Sequence, residues 1–106
     1  MTAVKIGDRL TVASQPRQEA LATLAAAGFA TIINNRPDGE EPGQPSSAAE
    51  KAALEQANLA YRFIPVTAAA ITEADIRSFQ EAVSGAKGPV YAHCRSGTRS
   101  LTLHVL

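Results

Sequence analysis

The sequence has one cysteine, no tryptophan and an aromatic content of only 5%. With Cys94 alone, no intramolecular disulfide can form and a cysteine-based zinc cluster is excluded within one chain, which points to a reducing compartment. Charge of one sign is missing too: ten Lys and Arg stand against ten Asp and Glu. No electrostatic excess therefore steers the chain to nucleic acid. Nowhere do about eighteen apolar residues run together, so no membrane-spanning helix is expected. The first residues, MTAVKIGDRL, carry neither an apolar leader nor a small-residue cleavage site. The expectation is a cytoplasmic protein that binds neither membrane nor nucleic acid.

What is present is a globular composition, 45% hydrophobic and 19% charged over 106 residues. That length is near the size at which a single core becomes stable, so one domain, residues 1–106, is expected. Ala3 to Ile6 and Leu10 to Ala13 read as strands joined by a Gly7-Asp8 turn. Ser14-Gln15-Pro16 reads as a helix opening, with Ala20, Leu21, Leu24 and Ala27 at helical spacing and Gly28 as the stop. Ala30 to Asn34 is a short buried strand. The spacing of Ser47 and Glu50 predicts a capping box at the start of a second helix, followed by a strand from Ala60 to Pro65. Thr72 and Asp75 repeat the box before Ile76, Phe79, Ala82 and Val83, with Gly85 as terminator. Pro89 to His93 is the last strand, and an apolar helix begins near Arg99. Leu101, Leu103, Val105 and Leu106 predict that this helix continues past the chain's end, or seals a dimer.

This alternation predicts an α/β fold, a single domain with a mostly parallel central sheet flanked by helices. Ligands of such sheets bind at the carboxyl ends of the strands. Between two of these elements runs Asn35 to Pro45, NRPDGEEPGQP, whose prolines and glycines make it a charged loop.

Chemistry concentrates in His93-Cys94-Arg95-Ser96-Gly97-Thr98-Arg99-Ser100, between an apolar strand and a helix start. A loop entering a helix N-terminus aims backbone N–H groups and the positive end of the helix dipole at one point, and Gly97 permits the tight backbone this requires. A thiol there is favoured as thiolate. Arg99 would supply a planar fork of donors for an oxyanion, and Ser100 a hydroxyl donor to the sulfur. A lone cysteine at a strand end is commonly just a small buried hydrophobe. Two arginines, hydroxyl side chains and a glycine close behind it are poor core material and favour the functional reading.

HCRSGTRS resembles the active-site loop of cysteine-dependent phosphatases and rhodaneses. More broadly, VASQP at Val12 to Pro16, IINNRPDGEEPGQP at Ile32 to Pro45, YRFIPV at Tyr61 to Val66 and GPVYAHCRSGTRS at Gly88 to Ser100 resemble the beta-lactamase-hydrolase-like, phosphatase-like family, related to the dual-specificity-phosphatase fold. The resemblance implies Cys94 as nucleophile, the backbone of Arg95, Ser96, Gly97 and Thr98 as anion cradle, and Arg99 as the anion-binding arginine. It also implies Ser14 and Gln15 as pocket lining and, for relatives fused to persulfide-oxidising enzymes, such an enzyme as partner.

Two departures from the phosphatase pattern matter. Four residues separate Cys94 from Arg99, whereas these phosphatases have five; the shorter spacing resembles single-domain rhodaneses. The stretch Pro65 to Ala69 also lacks the aspartate that protonates the leaving group in dual-specificity phosphatases. Expelling an unprotonated alkoxide is costly, whereas sulfite and thiolates leave as anions. The leading expectation is therefore sulfane-sulfur transfer through a Cys94 persulfide, from a small anionic donor such as a persulfide or thiosulfate, to a thiol or sulfite. The alternative is phosphomonoester hydrolysis through a phosphocysteine, with Asp38 as acid and Glu40 or Glu41 as weaker substitutes. A third is a non-catalytic anion-binding module. Arg36 is a candidate second anion contact, although a surface role after a strand is open for it, as ordinary turn chemistry is for Asp38. His93 either tunes the nucleophile or is structural. His104 has no metal-site spacing to Cys94, so neither metal nor organic cofactor is expected.

Overall fold

The computed structural model describes residues 3–106. Five four-residue strands, β1 (Ala3–Ile6), β2 (Leu10–Ala13), β3 (Thr31–Asn34), β4 (Ala60–Phe63) and β5 (Val90–His93), form one sheet in the order β1-β2-β5-β3-β4. β1 and β2 are antiparallel across a turn in which Gly7 takes φ 64. The other three pairings, β2 with β5, β5 with β3 and β3 with β4, are parallel. β5 thus occupies the middle of the sheet, and Val90, Ala92 and His93 are fully buried.

Four helices cover the sheet: α1 (Leu21–Ala26), α2 (Ser47–Gln56), α3 (Glu73–Ser84) and α4 (Thr98–Val105). Successive β3 residues point to opposite faces, as strand geometry requires. Ile32 joins Leu21, Leu54 and Leu59 beneath α1 and α2, while Ile33 joins Phe79, Ala82 and Leu103 beneath α3 and α4. Truncating either isoleucine to alanine would cost roughly 2–5 kcal/mol. The α/β architecture, with a mostly parallel sheet and helices on both faces, is the one the alternation predicted.

Local signals fared unevenly. The Thr72–Asp75 capping box forms in both directions, at 3.1 and 3.0 Å, and opens α3. The Ser47–Glu50 box does not. Ser46 caps α2, its hydroxyl accepting from Ala49 N–H at 3.1 Å, because Ser47 is engaged by Asp38 and the Glu50 side chain turns inward. Pro16 does not open a helix either: residues 14–17 run past the sheet's end, a single 3-10 turn covers Gln18–Ala20, and only then does α1 begin. At the other end of the chain, Leu103 is buried, whereas Val105 and Leu106 are 69% and 62% exposed.

Because four strands run parallel, their carboxyl ends gather along one edge. There the backbone is cross-tied. Asn35 N–H donates to His93 C=O at 2.7 Å, Val66 N–H to Asn35 C=O at 3.1 Å, and Gln15 N–H to Arg95 C=O at 3.1 Å. These bonds bring Gln15, Arg36, Val66 and Cys94 around one site.

Candidate active site

Cys94 follows β5 directly and is 1% exposed. The chain turns over it through Gly97, at φ 97 and ψ −16, into the N-terminus of α4. In this left-handed conformation, which a Cβ disfavours, Gly97 N–H donates to Cys94 Sγ at 3.0 Å. Burial alone pushes the thiol up. The backbone N–H groups of Ser100, Arg99, Gly97 and Ser96 more than offset it, and the thiol lies below its ordinary range. The sulfur therefore occupies a nest of backbone donors at a helix start, which favours the thiolate.

The Ser100 hydroxyl, expected on the sulfur, instead donates to Asn35 Oδ1 at 2.8 Å, and Asn35 Nδ2 donates to Ile64 C=O at 2.8 Å. Its support for the nest is through its backbone. The Ser96 hydroxyl donates to Thr98 Oγ1 at 3.2 Å, and both residues sit at the exposed rim.

Over this nest lies the proline-rich loop. Arg99 donates from its two terminal nitrogens to both oxygens of Glu40, each at 2.7 Å, and also to Val66 C=O at 3.0 Å. Arg36, only 2% exposed, donates from Nε to Glu40 at 3.0 Å, from one terminal nitrogen to Glu41 at 2.8 Å, and from the other to Gln15 Oε1 at 3.3 Å. Arg95 lies 3.6 Å from Glu41. The Arg99 hydrogen bonds, against the opposing effect of burial and with help from Arg36, hold the Glu40 carboxyl down at about 2. Glu41 is lowered too, first by its bond from Arg36.

Beneath Cys94 lies a pair that sequence reasoning missed. His93 Nε2 is 2.7 Å from Glu50 Oε2, with exposures of 0% and 1%. Glu50 Oε1 accepts from Gln15 Nε2 at 3.2 Å. The spacing of Glu50 from Ser47 reads as a helix cap; its approach to His93 depends on α2 folding over the face of the sheet, which no local pattern encodes.

The structure thus gathers Cys94, Arg99 and the backbone N–H groups of Ser96 and Gly97, with those of Arg99 and Ser100 in place of Arg95 and Thr98; it brings in Gln15, and Glu40 as an arginine partner rather than an acid, and adds Glu50. It does not bring Asp38 to the sulfur: Asp38 accepts from Ser47 N–H at 2.7 Å and from the Ser47 hydroxyl at 3.0 Å, at the N-terminus of α2. Nor is Arg36 open to an anion, since three of its nitrogens already have partners within the chain. Among the described residues, no group of three or more His, Cys, Asp or Glu could hold a metal, and no helix is long and apolar enough to cross a membrane. A cavity between α3 and α4, lined by Arg9, Phe79, Val83 and His104, lies apart from Cys94.

Comparison with known proteins agrees with this geometry. A beta-lactamase hydrolase-like protein of Agrobacterium fabrum is 57% identical over the whole chain, which spans a quarter of that protein's length. The crystal structure of a candidate phosphatase from Neisseria meningitidis superposes with a TM-score of 0.89 at 38% identity, covering 98% of this chain and 74% of the other. TpbA of P. aeruginosa, solved in complex with pTyr, shares the fold at a TM-score of 0.74 and 20% identity, over 96% of this chain and 59% of that one. Residues 4–106 match the phosphatase-like domain of beta-lactamase hydrolase-like proteins, and the chain belongs to that family.

Proposed function

We propose that this domain is a cysteine-thiolate phosphatase. Cys94 Sγ attacks phosphorus, the S–P bond forms as the bond to the leaving oxygen breaks, and water then cleaves the phosphocysteine to release inorganic phosphate and return the thiolate. The N–H groups of Ser96, Gly97, Arg99 and Ser100 stabilise the equatorial oxygens, joined by the Arg99 guanidinium as the substrate displaces Glu40 from it. One observation carries this reading: four backbone N–H groups favour the thiolate of a buried Cys94 at a helix N-terminus. Loop spacing alone ranks sulfur transfer first; the similarity to phosphatases supports ester hydrolysis better and reverses that order.

No acid is poised beside the sulfur among the described residues. Asp38 is bound to Ser47, and Glu40 and Glu41 are held as carboxylates by arginines. The substrates that suit this site carry leaving groups stable as anions, such as aryl phosphates, rather than alkyl phosphates.

The second reading is sulfane-sulfur transfer. Cys94 thiolate attacks the outer sulfur of thiosulfate, sulfite leaves with the electron pair, and an acceptor thiolate or cyanide then removes the sulfur from the persulfide. It is favoured by the four-residue spacing and by the missing acid, and a persulfide-oxidising partner belongs with it. Incubating the protein with an aryl phosphate or with thiosulfate, and weighing it intact, separates the two. Phosphate release that Cys94→Ser abolishes is the expected result; a gain of one sulfur atom without phosphate release would replace it with the second reading.

A further inference from the structure

Glu50 is a buried carboxylate to which neither reading assigns a task, and each of its oxygens holds a residue that touches the loop bearing Cys94. Oε2 holds His93, the residue before the nucleophile, at 2.7 Å. The other ring nitrogen of His93 is 3.4 Å from Cys94 C=O. Oε1 accepts from the Gln15 side chain at 3.2 Å, and Gln15 N–H donates to Arg95 C=O, just after the nucleophile, at 3.1 Å. One carboxylate on α2 thus braces both flanks of Cys94.

The polarity of the Gln15 bonds is fixed from outside. Arg36 can only donate, so the Gln15 oxygen must face it and the Gln15 amide nitrogen must face Glu50. Glu50 Oε1 is therefore an acceptor, while Oε2 faces a ring nitrogen of His93 that donates or accepts according to its tautomer. A glutamine at position 50 can keep both bonds, its oxygen on Gln15 and its NH2 on a His93 whose proton sits on Nδ1, toward Cys94 C=O. A leucine can keep neither, and it leaves the Gln15 amide and the His93 ring without their partner, which is costly for buried groups.

We propose that Glu50 is a positioning residue for the nucleophile, holding His93 and Gln15 so that the backbone donors of Ser96, Gly97, Arg99 and Ser100 converge on Cys94 Sγ. The proposal concerns the same site as the phosphatase reading but is tested without substrate. The charged groups around Cys94, Arg95 and Arg99 in its own loop and Glu40 and Glu41 above it, stay unaltered in the variants.

The test is the ionisation midpoint of the Cys94 thiol, followed through thiolate absorbance or the pH dependence of iodoacetamide alkylation, in wild type, Glu50→Leu and Gln15→Met. Removing a negative charge would by itself move the midpoint down, since it favours the thiolate. Loss of positioning moves it up. The expected result is an upward shift of about one unit in Glu50→Leu, an approximately tenfold loss of thiolate below the midpoint, and a smaller upward shift in Gln15→Met. A folded Glu50→Leu protein whose midpoint is unchanged or lower, even with reduced thermal stability, would overturn the proposal. Should Glu50→Leu not fold, Gln15→Met decides alone, because it sits at the edge of the network: a raised midpoint supports positioning and an unchanged one refutes it. Failure of the phosphatase reading would look different, with the midpoints shifting as stated but no phosphate released.

Discussion

Arg99 and Glu40 meet fork to fork: two guanidinium nitrogens lie 2.7 Å from two carboxylate oxygens, 59 positions away in the chain. The arginine expected to grip the substrate anion is therefore already partnered by a carboxylate from the loop above it. Such bidentate pairs are among the stronger polar contacts, and this one also links the loop to the start of α4.

Replacing Glu40 by Gln removes the negative charge nearest the anion seat while leaving Arg99 its bond to Val66 C=O. Inorganic phosphate is expected to bind roughly tenfold more tightly in Glu40→Gln, because a bound dianion no longer faces a fixed carboxylate. Protection of Cys94 from alkylation by increasing phosphate measures this directly. Weaker binding would mean that Glu40 serves to orient Arg99 more than it repels the ligand.

Asp38 gives a sharp contrast. As an N-terminal partner of Ser47 it stabilises α2, so Asp38→Asn should cost about 1 kcal/mol of stability and leave aryl phosphate turnover intact. Thermal unfolding and steady-state rates on the same preparation check both halves. A large drop in turnover with unchanged stability would restore Asp38 as the general acid.

How far the sequence carried the reading depended on how local each signal was. The strands, the Thr72–Asp75 box and the thiolate loop are encoded within a few residues, and each was legible. Cys94, Gly97 and Arg99 lie in one continuous turn, so spacing alone brought them together. Glu50 was not legible as a site residue, and Glu40 was legible only as a weak acid candidate and not as a partner of Arg99, because their partners, His93 and Arg99, are 43 and 59 positions distant. Asp38 misled for a related reason. A carboxylate in a proline-rich loop can reach either the sulfur or the adjoining helix start, and here the nearby Ser47 N–H captures it.

The Arg99–Glu40 clasp carries a pH signature. Glu40 titrates near 2, below an ordinary carboxyl near 4.5, mainly because Arg99 hydrogen-bonds its ionised form. A depressed carboxyl contributes stability that is complete above the unfolded value and is lost as pH falls through the folded one. The stability difference between wild type and Glu40→Gln should therefore be level above about pH 5 and shrink between there and pH 2. Chemical denaturation of both proteins across that range measures it. A difference that stays constant down to pH 2 would show that the ion pair contributes nothing in solution.

Gly97 and Gly28 separate strain from chemistry. Both hold left-handed backbone, at φ 97 and φ 95, so an alanine at either should cost roughly 1–2 kcal/mol. A Cβ at Gly28 meets nothing within 4 Å, which leaves strain as the main penalty there. At Gly97, relaxation of the same strain must rotate the peptide whose N–H lies 3.0 Å from Cys94 Sγ. Both variants should therefore melt lower by a similar margin, but only Gly97→Ala should raise the Cys94 midpoint and slow turnover. Equal midpoints in the two variants would mean that the Gly97 N–H is not a determinant of the thiolate and that the remaining donors of the nest suffice to hold it.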